Sequence, residues 1–221
     1  MESHDSRKQF VVRLALLLAG LAVMSFGVAL SIKAELGTSP ISSLPYVTAE
    51  ISGLSVGTTT IIVNSLFVLT QIILLRRNYE WFQLLQIAVA VVFGLLIDLC
   101  GLLLEPIVPG NYAVKWLLCA GGIVFVALGV SIEVAANLVP TAGEGLVLAI
   151  CQVTPFKFGN MKVALDVTLV VLSVAAGFIF LGRLEGVREG TVAAALLVGQ
   201  VSKLFSRYLR GLRKKLGTEV D

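Results

Sequence analysis

The chain reads as an all-α polytopic membrane protein, with six transmembrane helices arranged as two inverted three-helix repeats. Three observations predict this. Of its 221 residues, 57% are apolar and 14% charged, whereas soluble domains carry about 25% charged residues. Apolar runs of spanning length recur, since a hydrocarbon core of ~30 Å takes about 20 helical residues at 1.5 Å each. A break rich in Pro, Ser and Gly, "LGTSPISSLPYVTAEISG" at 36–53, has a counterpart in the second half.

In chain order, residues 1–13 form a polar tail carrying Arg7, Lys8 and Arg13. The first span, Leu14–Ile32, exceeds the ~7–15 residues of a signal-peptide core, and no small-residue cleavage site clearly follows it. It is expected to be retained as a helix. With a short segment at 39–52 and the spans Val56–Leu75 and Leu84–Leu104, it makes a first repeat, 14–104. A connecting loop, 105–113, leads to the second repeat, 114–206. This contains Val114–Ile132, a short segment at 141–153, Val163–Leu181 and Thr191–Phe205, the last being the shortest run. A basic tail, 207–221, closes the sequence.

Six spans place the N-terminus, the loops near Arg76 and Lys157, and the C-terminus on one side. That side holds thirteen Lys and Arg residues; the other holds only Lys33, Lys115, Arg183 and Arg188. Such a bias puts both termini in the cytoplasm, and a five-span arrangement would export the tail "RYLRGLRKKLG". Tyr79, Trp81 and Trp116 fall at span ends, where aromatic anchors belong.

Sliding the chain along itself by 102 residues lays Gly20 and Gly27 on Gly122 and Gly129, Gly57 on Gly159, and Asn64 on Asp166, without a gap. "ELGTSPISSLP" then lies over "NLVPTAGEGLV". Identity is low, roughly one position in six, but the matches fall on glycines and on the polar site within a span, as in an internal repeat. Three spans per half force opposite entry into the membrane, an arrangement recurrent among secondary transporters.

Each break begins with helix-start chemistry. Thr38 or Ser39 can cap before Pro40. In the second, Pro140 ends the preceding helix and Thr141 precedes Glu144 in capping-box spacing. About a dozen residues is too short to span, so each segment is a half-helix, either re-entrant or flat at the interface. Two re-entrant half-helices would aim free N–H groups and positive dipole ends at one central site, suited to an anionic group.

Ionisable groups at membrane depth are expensive and are candidates for function. Asp166 stands out, one turn from Lys162, and a pair satisfied within the helix is the alternative to a coupling role. Glu133 ends the fourth span, with a position at the cytoplasmic interface expected. Glu144 lies in the first turn of the second half-helix, and Asp98 is expected to pair with Lys33 or Lys115. Thr38, Ser39, Asn64, Thr141, Glu144 and Asp166 are the substrate-binding candidates. Asp166, Glu144, Glu133 and Asp98 are the candidates for a coupling ion. Asn64 and Gln71 could equally tie helices together, and the paired glycines allow close helix approach.

No Walker loop, paired-cysteine zinc pattern or nucleophile elbow occurs, so neither an enzyme nor a metal or cofactor is expected. Cys100, Cys119 and Cys151 read as packing residues.

The stretches "GVALSIKAELGTSP", "GLSVGT", "VNSLFVLTQIILLRR", "FGLLIDL" and "NLVPTAGEGL" resemble the YitT/YczE/YyaS family of bacterial integral membrane proteins, in its YczE branch. The resemblance implies an inner-membrane protein and supplies no activity. The expectation is therefore a small carrier moving a polar or anionic metabolite by alternating access, coupled to a proton or cation. The alternative is a scaffold or regulatory subunit that docks a partner protein or lipid. The partners expected are the lipid bilayer and a small-molecule substrate, with no nucleic acid. A homodimer is compatible with so few short helices.

Overall fold

The computed structural model describes residues 2–209; the basic tail from Arg210 onward lies outside the described residues. Among the described residues there are eight α-helices and no strand. They are α1 (Glu2–Lys33), α2 (Pro40–Ser52), α3 (Val56–Leu75), α4 (Leu85–Leu103), α5 (Tyr112–Ala136), α6 (Ala142–Val153), α7 (Phe158–Ala176) and α8 (Glu189–Tyr208). Short 3-10 turns join α3 to α4, and a π-helical turn, Gly177–Leu181, extends α7.

Five helices are long and apolar enough to cross a membrane: α1 from Gln9, α3, α4, α5 and α7. The expected sixth span, α8, runs three residues beyond the predicted Phe205 to 20 residues, about 30 Å. It is more polar and is not one of the five. The two breaks form the short helices α2 and α6, of 13 and 12 residues, which at about 20 and 18 Å fall well short of a span.

Local chemistry sets the ends of α2. Pro40 takes the first helical position, where no amide donor is needed. Gly53 adopts φ 71° and returns its N–H to Ala49 O. Ser39 and Thr141 occupy the cap positions, one residue before each helix, yet neither side chain caps its helix. Ser39 Oγ instead donates to Ser42 Oγ at 3.0 Å.

Two helix pairs run at the heart of the molecule. α1 crosses α5 antiparallel, with Gly20 against the backbone at Gly129 and Glu133, and Gly27 against Gly122 and Val126. Any Cβ here would collide with the facing backbone, so glycine permits the close approach. α4 accompanies α1: Ser25 Oγ donates to Phe93 O at 3.3 Å, and Cys100 packs on Ala29 and Leu30. α8 accompanies α5 in parallel, from Gly190 beside Cys119 to the Ser131–Ser202 hydrogen bonds.

Both short helices lie between α3 and α7. Thr59 Oγ1 donates to Pro45 O at 2.8 Å, and Ser173 Oγ to Ser43 Oγ at 2.9 Å, which holds α2. For α6, Gln71 Nε2 donates to Ala142 O at 3.1 Å while exchanging hydrogen bonds with Gln86, and both amides are fully buried. α3 and α4 are in backbone contact at Gly57 and Gly94. α7 and α8 scarcely touch.

A carboxylate-lined cavity where the short helices meet

A cavity of about 330 Å³ lies between the starts of α2 and α6, and all eight helices contribute to its wall. Most of the lining is apolar, with Met24, Val63, Phe67, Phe93 and Val126 prominent. Eight of its ten polar residues, all but Glu133 and Ser202, come in positions 102 residues apart: Ser39 with Thr141, Ser42 with Glu144, Thr60 with Lys162, and Asn64 with Asp166. The first half supplies hydroxyls and an amide. The second half supplies the charges, joined by Glu133 from the end of α5.

The structure brings together Ser39, Asn64, Thr141, Glu144, Asp166 and Glu133, and leaves out two candidates. Thr38 is buried elsewhere, its N–H donating to Gly186 O at 3.0 Å. Asp98 pairs with neither expected lysine. It accepts from Ser55 Oγ at 2.6 Å and from Gly57 N at 2.7 Å, capping α3, while Lys115 pairs with Glu35. Orphan donors at a helix start attract a carboxylate more strongly than a solvated lysine at an exposed edge. That makes Asp98 a structural residue.

Glu133 also departs from expectation. It is buried, with 5% exposure. Its Oε1 accepts from Thr141 N at 3.0 Å, the bond that a capping box would assign to Glu144. Glu133 therefore occupies the start of α6, where an anionic solute was expected. Glu144 is released from capping, and among the described residues no hydrogen bond or ion pair holds its carboxylate. Asp166 Oδ1 accepts from Lys162 Nζ at 2.7 Å, the pair within one helix that the spacing allowed. Asn64 Nδ2 donates one N–H to Thr60 O of its own helix, which leaves its carbonyl oxygen and its second N–H available to a ligand.

Sequence reasoning missed Gln86 and Ser173. Gln86 was signalled by an amide at the head of an apolar run. Ser173, a common small residue in such helices, gave no signal. No group of three His, Cys, Asp or Glu residues suited to a metal occurs among the described residues.

Comparison with known proteins places the chain. Residues 11–207 match the model of a family of unknown function, DUF6198. The chain belongs to this family. It is 25% identical over 196 residues to the uncharacterized membrane protein YczE of Bacillus subtilis (strain 168), covering 88% of this chain and 86% of YczE. It is 29% identical over 132 residues to the uncharacterized protein YyaS of the same organism, covering 59% of this chain and 64% of YyaS. No solved structure matches it. The resemblance to the YczE branch is thus borne out, and with the apolar helices it makes the chain a multi-pass helical membrane protein.

Proposed function

We propose that the protein is a small secondary carrier of the inner membrane, with two inverted three-span repeats meeting at the cavity and both termini cytoplasmic. The observation that carries the reading is the pairing of lining positions at a constant offset of 102. The same offset relates contacts far from the cavity. Gly20 against Gly129 corresponds to Gly122 against Gly27, and Ser43 with Ser173 corresponds to Gly145 beside Gln71. A central site between such repeats, reached by broken or short helices, is the arrangement through which repeat rocking exposes one solute site to each side in turn.

Treating α8 as the sixth span follows from its course. It runs beside α5 from Cys119 to Ser131, about 18 Å of a helix that itself crosses. Irregular backbone at membrane depth must be covered by protein or line a cavity, and the starts of α2 and α6 satisfy that condition here. The solute is a small one with a polar end, held by Glu144, Asp166, Asn64 and Ser39 against an apolar wall, with a carboxyl proton as the coupling ion.

The test places one cysteine at Asn64 after Cys100, Cys119 and Cys151 are replaced by alanine. An impermeant maleimide is applied to cells and, separately, to inverted vesicles. Asn64→Cys should be labelled from both sides. Labelling from one side only, or from neither, would rule out alternating access.

A further inference from the structure

The cavity has a side door, and its walls suggest what uses it. Among its lining residues, those exposed at the surface are Val163 on α7 and Ala195 and Gly199 on α8. All three border the gap between α7 and α8. At the equivalent place in the first half, α3 and α4 are sealed by the contact of Gly57 with Gly94. Both α7 and the neighbouring α8 residues present apolar side chains outward, with Val163 62%, Val167 56% and Leu196 62% exposed. The gap therefore faces hydrocarbon and not water.

Charge specifies the occupant. Glu133, Glu144 and Asp166 reach the cavity against a single cation, Lys162, which is already paired with Asp166. Glu133 is held by Thr141 N. Among the described residues Glu144 makes no hydrogen bond or ion pair and only shares the field of Lys162, and a carboxylate so poorly compensated at membrane depth is costly. A cation brought beside it would relieve that cost, and the apolar wall with Phe67 and Phe93 would take a hydrocarbon body. An anion would meet an excess of carboxylates over cations.

We infer that this cavity binds cationic amphiphiles, single-chain amines with an apolar tail, which enter from the bilayer between α7 and α8 with the ammonium directed to Glu144. The inference rests on the carrier reading for what happens afterwards, but binding and entry are tested separately from it.

Gly199→Cys provides the reporter, because a side chain there meets no atom within 4 Å. In the background lacking the three native cysteines, reconstituted in lipid nanodiscs, it should react readily with membrane-soluble N-cyclohexylmaleimide and at least tenfold more slowly with an impermeant maleimide. Octylammonium, octanol and octanoate share one chain and differ in head-group charge. Octylammonium should slow the alkylation several-fold, and octanol and octanoate should not. Glu144→Gln should abolish the protection, while Glu144→Asp should retain it and thereby control for folding.

Equal protection by all three probes would overturn the cationic assignment. Protection by octylammonium that persists in Glu144→Gln would overturn the role of Glu144. A Gly199→Cys side chain inert to the membrane-soluble reagent would mean that the gap is covered, for instance by a second copy, and would overturn lateral entry. If charge selectivity fails while Asn64→Cys is still labelled from both sides, the carrier reading stands and this inference falls. If Asn64→Cys is labelled from one side only and octylammonium still protects Gly199→Cys, the reverse holds.

Discussion

Gly57 and Gly159 stand 102 positions apart, each at the second residue of a long helix, α3 and α7. Gly57 is buried, with the backbone of Gly94 and the carboxylate of Asp98 where its side chain would be. At Gly159 a side chain would meet nothing within 4 Å. The helix starts differ in the same way. Ser55 and Asp98 together satisfy the first amides of α3, whereas Lys157 gives α7 no side-chain cap. One half is closed around its third helix and the other is left open along it. The cavity thus has a sealed wall in the first half and an open one in the second, and the charges sit on the open side.

The sharpest way to break this contrast is to enlarge both glycines. Gly57→Leu should cost at least about 3 kcal/mol, at the upper end of overpacking effects, because backbone and not a flexible side chain opposes it. Gly159→Leu should change stability by less than ~0.5 kcal/mol, as surface substitutions do. Unfolding midpoints in one detergent would compare them, and similar losses at both sites would erase the difference between the halves.

A smaller effect is expected at the caps. Asp98→Ala removes two charge-assisted hydrogen bonds from the start of α3 and should cost about 1.5–3 kcal/mol. The corresponding position in the second half is Gln200, exposed on α8, and Gln200→Ala should leave the midpoint unchanged. A neutral Asp98→Ala variant would mean that the cap contributes nothing to closing the first half.

The ties between long and short helices come next. Gln71→Leu strands the amide of Gln86 in a buried site and should cost about 1–3 kcal/mol. Joining it with Gln86→Leu should recover part of that loss, since replacing both partners avoids the unsatisfied group. Ser173→Ala, at the equivalent tie to α2, should cost only about 1 kcal/mol, because Ser43 also donates to Pro40 O and stays satisfied. A double variant no more stable than Gln71→Leu alone would show that packing, and not the amide pair, holds α6.

Strong local chemistry made much of this architecture readable. Val56–Leu75 coincides with α3 to the residue, because Ser55 caps one end and Arg76 and Arg77 stop the other. The short helices were legible from Pro40, Gly53, Pro140 and the length between them. The partners of the carboxylates were not. Asp98 meets Ser55 and Gly57 across more than 40 residues, and Glu133 displaces Glu144 from a bond that spacing alone would give to Glu144. Hydrogen-bond partners between helices depend on their rotation about their own axes, and a nearly uniform apolar run leaves that rotation unmarked. The gap between α7 and α8 was hidden for the same reason: α3–α4 and α7–α8 read alike as adjacent apolar spans.

The smallest effect on stability is expected where the two halves exchange charge. The Lys162–Asp166 pair is 24–30% exposed, and such pairs contribute about 1 kcal/mol or less. Asp166→Asn alone should therefore shift the unfolding midpoint little. Asn64 and Asp166 line one cavity, so the double variant Asn64→Asp, Asp166→Asn moves a carboxylate from the open half to the sealed half without changing the total charge. If net charge governs recognition, octylammonium should protect Gly199→Cys in the double variant as it does in the parent. Long-range attraction within a low-dielectric cavity depends more on the sum of charges than on which wall carries them. Should protection disappear while stability holds, the placement of charge on α7 would be what matters, and the asymmetry between the halves would belong to recognition itself.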